Sequence, residues 1–241
     1  MWGRIGNRGH KLVSSLFSVV YPSVCPVCKS LSDALPYAPI CMNCWGTIKR
    51  YDGPSCRICA APLVSEHSNL CGECLREAPP FSLVLNYGIY SDTLSEAIHL
   101  LKFSGLKRVA RPLGKLLLDL PIPLMDGIIP VPMTGKTLRE RGFNQTLLLS
   151  RTLSKHLGIP VRMDMLYKKR ETSPQLGLRA KERAANLKNA FAVRGRGDNL
   201  RLILLDDVMT TGATVRECSK ALLKAGAKEV VVVTLARSAL T

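Results

Sequence analysis

The sequence predicts an α/β protein: a parallel sheet covered by helices, with a small cysteine-rich module in front. Three observations carry that expectation. From Ser82 onward, aliphatic runs alternate with helical patterns, the order that builds a parallel sheet with both faces covered. Ahead of them, eight of the nine cysteines fall into Cys-x-x-Cys pairs. Third, "RLILL" (Arg201–Leu205) is continuously apolar, as a strand buried on both faces should be, and it runs straight into "DDVMTTGAT".

Element by element, "SLVLNYGIY" (82–90) reads as a strand, and "TLSEAIHLLKF" as a helix opened by a Ser91/Asp92 cap. A second helix is expected in "LKRVARPLGKLLLD", and "DGIIPVPM" (126–133) is a short strand stopped by Pro130 and Pro132. "NQTLLLSRTLSKHLG" has the pattern of a helix ending at Gly158. "VRMDMLYKK" is a further strand, followed by the basic run "RETSPQLGLRAKERAANLKNAF". After the "RLILL" strand, "ATVRECSKALLKAG" is a helix closed by Gly226, and "EVVVVTLA" is the last strand. At the other end, Leu12, Leu16, Phe17 and Val20 share one face of a short amphipathic helix. That apolar stretch is too short to span a bilayer and has no cleavage pattern of small residues. The expected boundaries are 1–24 for this helix, 25–78 for the cysteine module and 79–241 for the α/β domain.

The 241 residues suffice for one sizeable α/β domain plus a small module. The net charge of +16 calls for anionic partners. It is concentrated between Thr134 and Arg201, where sixteen Lys/Arg face five Asp/Glu. A solvated basic face is the plain alternative, and the nearby phosphate-type turn weighs against it.

The cysteines pair as Cys25/Cys28, Cys41/Cys44, Cys56/Cys59 and Cys71/Cys74, separated by 12, 11 and 11 residues. A Cys-x-x-Cys turn offers two thiolates to one ion, and two such knuckles complete a tetrahedral zinc site. Disulfides would need an oxidising compartment, and a redox motif explains one pair, not four. Two structural zinc ions are therefore expected, paired either sequentially or as a cross-brace. Reduced cysteines and the missing export signal predict the cytoplasm, including a place near the membrane. Cys218 stands apart as a core residue.

Ligands of open α/β sheets bind beyond the carboxyl ends of the strands, where Asp206 and Asp207 are expected to emerge. The turn behind them can surround a phosphate with backbone N–H groups and the hydroxyls of Thr210, Thr211 and Thr214, helped by the dipole of the following helix. Adjacent carboxylates suit vicinal ribose hydroxyls or a magnesium shell. A helix cap alone would explain one hydroxyl but not paired acids.

"LILLDDVMTTGAT" resembles the phosphoribosyl pyrophosphate (PRPP) signature of type I phosphoribosyltransferases. The four knuckles, "AIHLLKFSG", "PVP…RERGFNQ" and "SPQLGLRAKERAANLKNAF" resemble the ComF family, competence-associated phosphoribosyltransferase-like proteins, over nearly the whole chain. The resemblance implies a type I phosphoribosyltransferase-like sheet in which Asp206, Asp207, Val208, Met209, Thr210, Thr211, Gly212, Ala213 and Thr214 bind PRPP. Val131, Pro132 and Met133 would form the pyrophosphate loop, with Arg139 and Arg141 neutralising its charge. The basic run stands where such enzymes carry a closing loop, so Lys169, Arg170, Arg179, Lys181 and Arg183 are candidates for the diphosphate. Asp206, Asp207, Arg170 and Arg179 are the catalytic candidates, with magnesium bound alongside PRPP. Asn144 and Gln145 either line the site or only open the helix after Gly142.

Glutamine PRPP amidotransferases begin their glutaminase domain with a nucleophilic cysteine, whereas this chain begins "MWGR", so glutamine-dependent amination is not expected. No segment identifies an acceptor. The rival function is a non-catalytic single-stranded DNA-handling protein that uses the zinc ribbons and basic face, with Trp45 and Tyr51 as stacking candidates and partners in the competence machinery.

Overall fold

The computed structural model describes residues 24–32, 37–65, 67–170 and 185–238. The predicted helix over Leu12–Val20 lies outside them, as do Arg179, Lys181 and Arg183. The chain forms two compact units, Met1–Ile48 and Lys49–Thr241.

In the first unit, a turn bridged between Val24 and Leu31 carries Cys25 and Cys28, and helix α1 (Met42–Gly46) carries Cys44. Cys41 caps α1, its Sγ accepting from the Cys44 N–H. Tyr37 stacks on Trp45 with ring centroids 4.9 Å apart.

The second unit opens with the other knuckle pair, in which Cys71 caps α2 (Gly72–Arg76) in the same way. Four strands then form one parallel sheet in the order β1 (Leu83–Ile89), β6 (Glu229–Arg237), β5 (Arg201–Met209), β2 (Gly127–Pro130). The central strands are the most apolar, as expected for a sheet flanked by α3 (Asp92–Phe103), α4 (Ala110–Leu116), α6 (Gln145–Leu157) and α7 (Ala213–Lys224). Leu202 and Leu204 of β5 share one core with Val215, Cys218 and Leu222 of α7 and with Cys56, Cys59, Cys71 and Cys74. Cys218 is fully buried there, as expected. The parallel, helix-covered sheet predicted from the alternation is present.

Four details differ from expectation. "LKRVARPLGKLLLD" is not one helix: 3₁₀ turns at Lys107–Val109 and Leu117–Asp119 flank α4. The Pro112 ring would clash with the carbonyl of Arg108 in a continuous helix, and in α4 it occupies the first turn, where a missing N–H costs nothing. "VRMDMLYKK" contributes only β3 (Leu166–Lys168), which pairs antiparallel with β4 (Phe191–Val193) in a separate two-stranded sheet. Its earlier residues reach the main sheet only through a bridge from Val161 to Ile128. A short helix, α5 (Gly135–Arg141), follows the β2 loop, capped by Thr134. Finally, β5 continues through the aspartates to Met209.

Candidate functional site

That last difference sets the geometry. Side chains alternate across a strand, and both aspartates lie inside β5, so they leave it on opposite faces.

Asp207 turns toward α3 and α6 and is 3% exposed. Its Oδ1 sits 2.7 Å from Lys102 Nζ and its Oδ2 accepts from Gln145 Nε2 at 2.7 Å. The Val208 N–H also donates to Oδ1, at 2.7 Å. Gln145 is held in turn by Arg141, whose Nη1 donates to Oε1 at 2.8 Å and whose guanidinium lies over the Phe103 ring. Burial works against the Lys102 ammonium, but Asp207 overrides it and the lysine pKa rises above its ordinary value. The protein thus engages both oxygens of Asp207, Oδ1 through Lys102 and the Val208 amide and Oδ2 through Gln145.

Asp206 faces the other way. It is partly buried and lines a hollow of about 40 Å³ with Val208, Met209 and the turn Thr210–Thr214. One water needs roughly 10–15 Å³ by that measure, so the hollow admits a single small group while the rest of a larger ligand would lie over the strand ends. Burial first, then the neighbouring Asp207, pushes the Asp206 pKa up to about 7, against the pull of Lys102 and the Asp207 amide. A carboxyl whose pKa rises on folding favours the folded state only while protonated, so this contribution is complete below about pH 4 and is lost as pH rises through 7. Asp206→Asn is therefore expected to flatten that part of the stability profile, measured by urea unfolding between pH 5 and 8. Identical profiles would contradict it.

The turn depends on Gly212. It caps α7 at φ 79°, and a Cβ there would come within 2.6 Å of the Met209 methyl. Gly212→Ala should cost about 1–2 kcal/mol by the left-handed backbone penalty alone, read as a shifted urea midpoint.

The loop after β2 lies beside the β5 end. The Val131 N–H donates to Leu205 O at 2.9 Å. Val131 O accepts from Asn144 Nδ2 at 3.2 Å and from Thr146 Oγ1 at 2.8 Å. Asn144 also caps α6, accepting from the Thr146 and Leu147 N–H groups. Asn144 therefore opens the helix and ties the loop, and Gln145 reaches an aspartate. Arg141 points inward to Gln145, while Arg139 is exposed on α5. Arg170 is exposed and donates to Asn186 O and Lys188 O at 2.9 and 3.1 Å, bracing the chain before β4. Lys102 escaped the sequence reading, because a lone lysine in a helix's last turn looks like a solvated charge.

The eight knuckle cysteines gather into two groups, Cys25/28/41/44 and Cys56/59/71/74, with the Sγ atoms of each group within 4.8 Å of one another. Pairing is sequential. Cys28 and Cys41 sulfurs are 3.6 Å apart and those of Cys59 and Cys71 3.5 Å, near the ~3.8 Å edge that ~2.3 Å Zn–S bonds give a tetrahedron. Four thiols with no other donor among the described residues make closed, structural zinc sites. Among the described residues, no helix is long and apolar enough to cross a membrane.

Residues 16–75 match the family model of a double zinc ribbon domain. The chain is 36% identical over 226 residues to the DNA utilization protein YhgH of Shigella flexneri, covering 90% of this chain and 98% of that one. It is also 36% identical over 210 residues to competence protein F of Haemophilus influenzae, covering 83% and 90%. Among solved structures, the glutamine PRPP amidotransferase of B. subtilis in complex with ADP and GMP aligns with 52% of this chain and 25% of its own, at 23% identity and a TM-score of 0.38.

Proposed function

Because the chain belongs to the ComF family, that of the competence and DNA-utilization proteins it matches, we propose that it binds PRPP with magnesium and serves DNA utilization. The carrying observation is the hollow formed by Asp206 with Thr210–Thr214 at the start of α7. The turn's N–H groups and hydroxyls receive the 5′-phosphate, where the helix dipole favours negative charge. Asp206 accepts from the ribose hydroxyls, and Asp207 holds the strand end and the α6 corner in place. The loop Val131–Met133 meets the diphosphate, with Arg139, six residues past it, and Arg170, at the head of the basic run, adding positive charge. The oxygen donors around Asp206 suit a hard divalent ion, and magnesium bound with PRPP supplies charge neutralisation for departing pyrophosphate.

Transfer of the phosphoribosyl group to an acceptor is tested by pyrophosphate release across nucleobases and ammonia. Release with any of them establishes a transferase, and none leaves a PRPP-binding protein. Single-stranded DNA handling is a second reading, favoured by the basic stretch from Thr134 to Arg201. The Tyr37–Trp45 stack takes one Trp45 face away from bases, so backbone charge must dominate. Affinity for an oligonucleotide is then expected to fall steeply with salt and to be unchanged by Asp206→Ala. Salt-insensitive binding would exclude this.

A further inference from the structure

Arg237 ends β6, between Ile89 of β1 and Met209 of β5. It is 1% exposed, the bulkiest of the fully buried side chains. Its guanidinium joins two loops. Nη1 donates to Met209 O at 3.1 Å and to Thr210 O, the carbonyls that open the ligand turn. Nε donates to Cys59 O at 3.1 Å, and Nη2 lies 3.9 Å from Cys59 Sγ, in the second zinc group.

Among the described residues no ion pair joins Arg237 to a carboxylate. An arginine keeps its proton, and a buried charge without compensation is costly. The compensation available is the zinc centre itself: four thiolates around one Zn²⁺ carry a net charge of −2. Carbonyls of Met209 and Thr210 held by the guanidinium are also kept from facing an anion in the turn.

We propose that Arg237 is a positioning residue that locks the turn Thr210–Thr214 to the second zinc centre, so that metal at Cys56, Cys59, Cys71 and Cys74 sets the turn's readiness for phosphate. The proposal rests on the ligand assignment above. It gives the second zinc centre a role that the first does not share. A lysine at this position keeps the charge but lacks the planar fork that spans both loops.

The full-length, zinc-loaded chain with Arg237→Met or Arg237→Lys tests this through three readouts. In chelator competition, Arg237→Met should release one of the two zinc equivalents about tenfold more readily, the scale of a lost charge-assisted hydrogen bond, and leave the other as in wild type. Amide exchange across Thr210–Thr214 should speed up by a similar factor in both variants, while Arg237→Lys restores zinc retention. Calorimetric titration of PRPP with magnesium should weaken about tenfold in both. Wild-type turn protection in a folded variant would overturn the proposal, as would equal loosening of both zinc equivalents. If Arg237→Met does not fold, the exchange result for Arg237→Lys decides alone. Absence of PRPP binding in wild type would sink the ligand assignment, while zinc release and amide exchange would still decide the coupling.

Discussion

Replacing Asp207 by alanine is expected to cost about 3–5 kcal/mol of stability, the penalty for removing one partner of a buried charge pair. Lys102 Nζ, whose side chain is only 19% exposed, would lose its carboxylate, and Gln145 its acceptor. Lys102→Met combined with Asp207→Asn should recover much of the loss, because the stranded charge is then gone. Asp206→Ala should leave stability near or above wild type at pH 8, since the folded protein holds that carboxyl in its protonated form up to about 7. Urea unfolding of the four proteins reads all of this. Equal costs at Asp206 and Asp207 would contradict the division of labour between the two faces of β5.

The second large effect concerns zinc. Each closed four-thiolate site contributes on the order of 10 kcal/mol of folding free energy, so a strong chelator should unfold both ribbons. The consequences are expected to differ. Cys56, Cys59, Cys71 and Cys74 sit in the same core cluster as Leu202, Leu204 and Leu222, so Cys71→Ser should lower the melting temperature of the α/β body. Cys41→Ser strips a site belonging to the unit that ends at Ile48 and should leave that transition in place. Thermal melts followed in the far ultraviolet, with zinc content measured on each variant, check both expectations. A body transition untouched by Cys71→Ser would mean that the second ribbon is only an appendage.

Much of this was legible because its signals are local. Four identical knuckle spacings leave little alternative to metal, and the four valines of "EVVVV" read as the buried strand they form. The order of knuckles was not legible, since gaps of 12, 11 and 11 residues serve either pairing. The β3–β4 pair joins Leu166–Lys168 to Phe191–Val193, and no pattern within three residues announces so distant a partner. The helix α5 hid because "GKTLRER" has a single large apolar residue, Leu138, too few to mark a face. The two aspartates looked like a single grip because sequence adjacency suggests proximity, whereas strand geometry sends neighbours to opposite faces. Arg237 was missed for a related reason: a cation at the end of a strand reads as solvated until its burial is known.

The central claim is that Asp206 and the turn behind it form the binding site for a phosphorylated ribose. Calorimetric titration of zinc-loaded protein with PRPP, with and without magnesium, tests it most directly when wild type is set beside Asp206→Ala. Magnesium-dependent binding to wild type that vanishes in the folded variant is the predicted result. An Asp206→Ala protein that binds PRPP as tightly as wild type, or a wild type that takes up none with magnesium present, would contradict it.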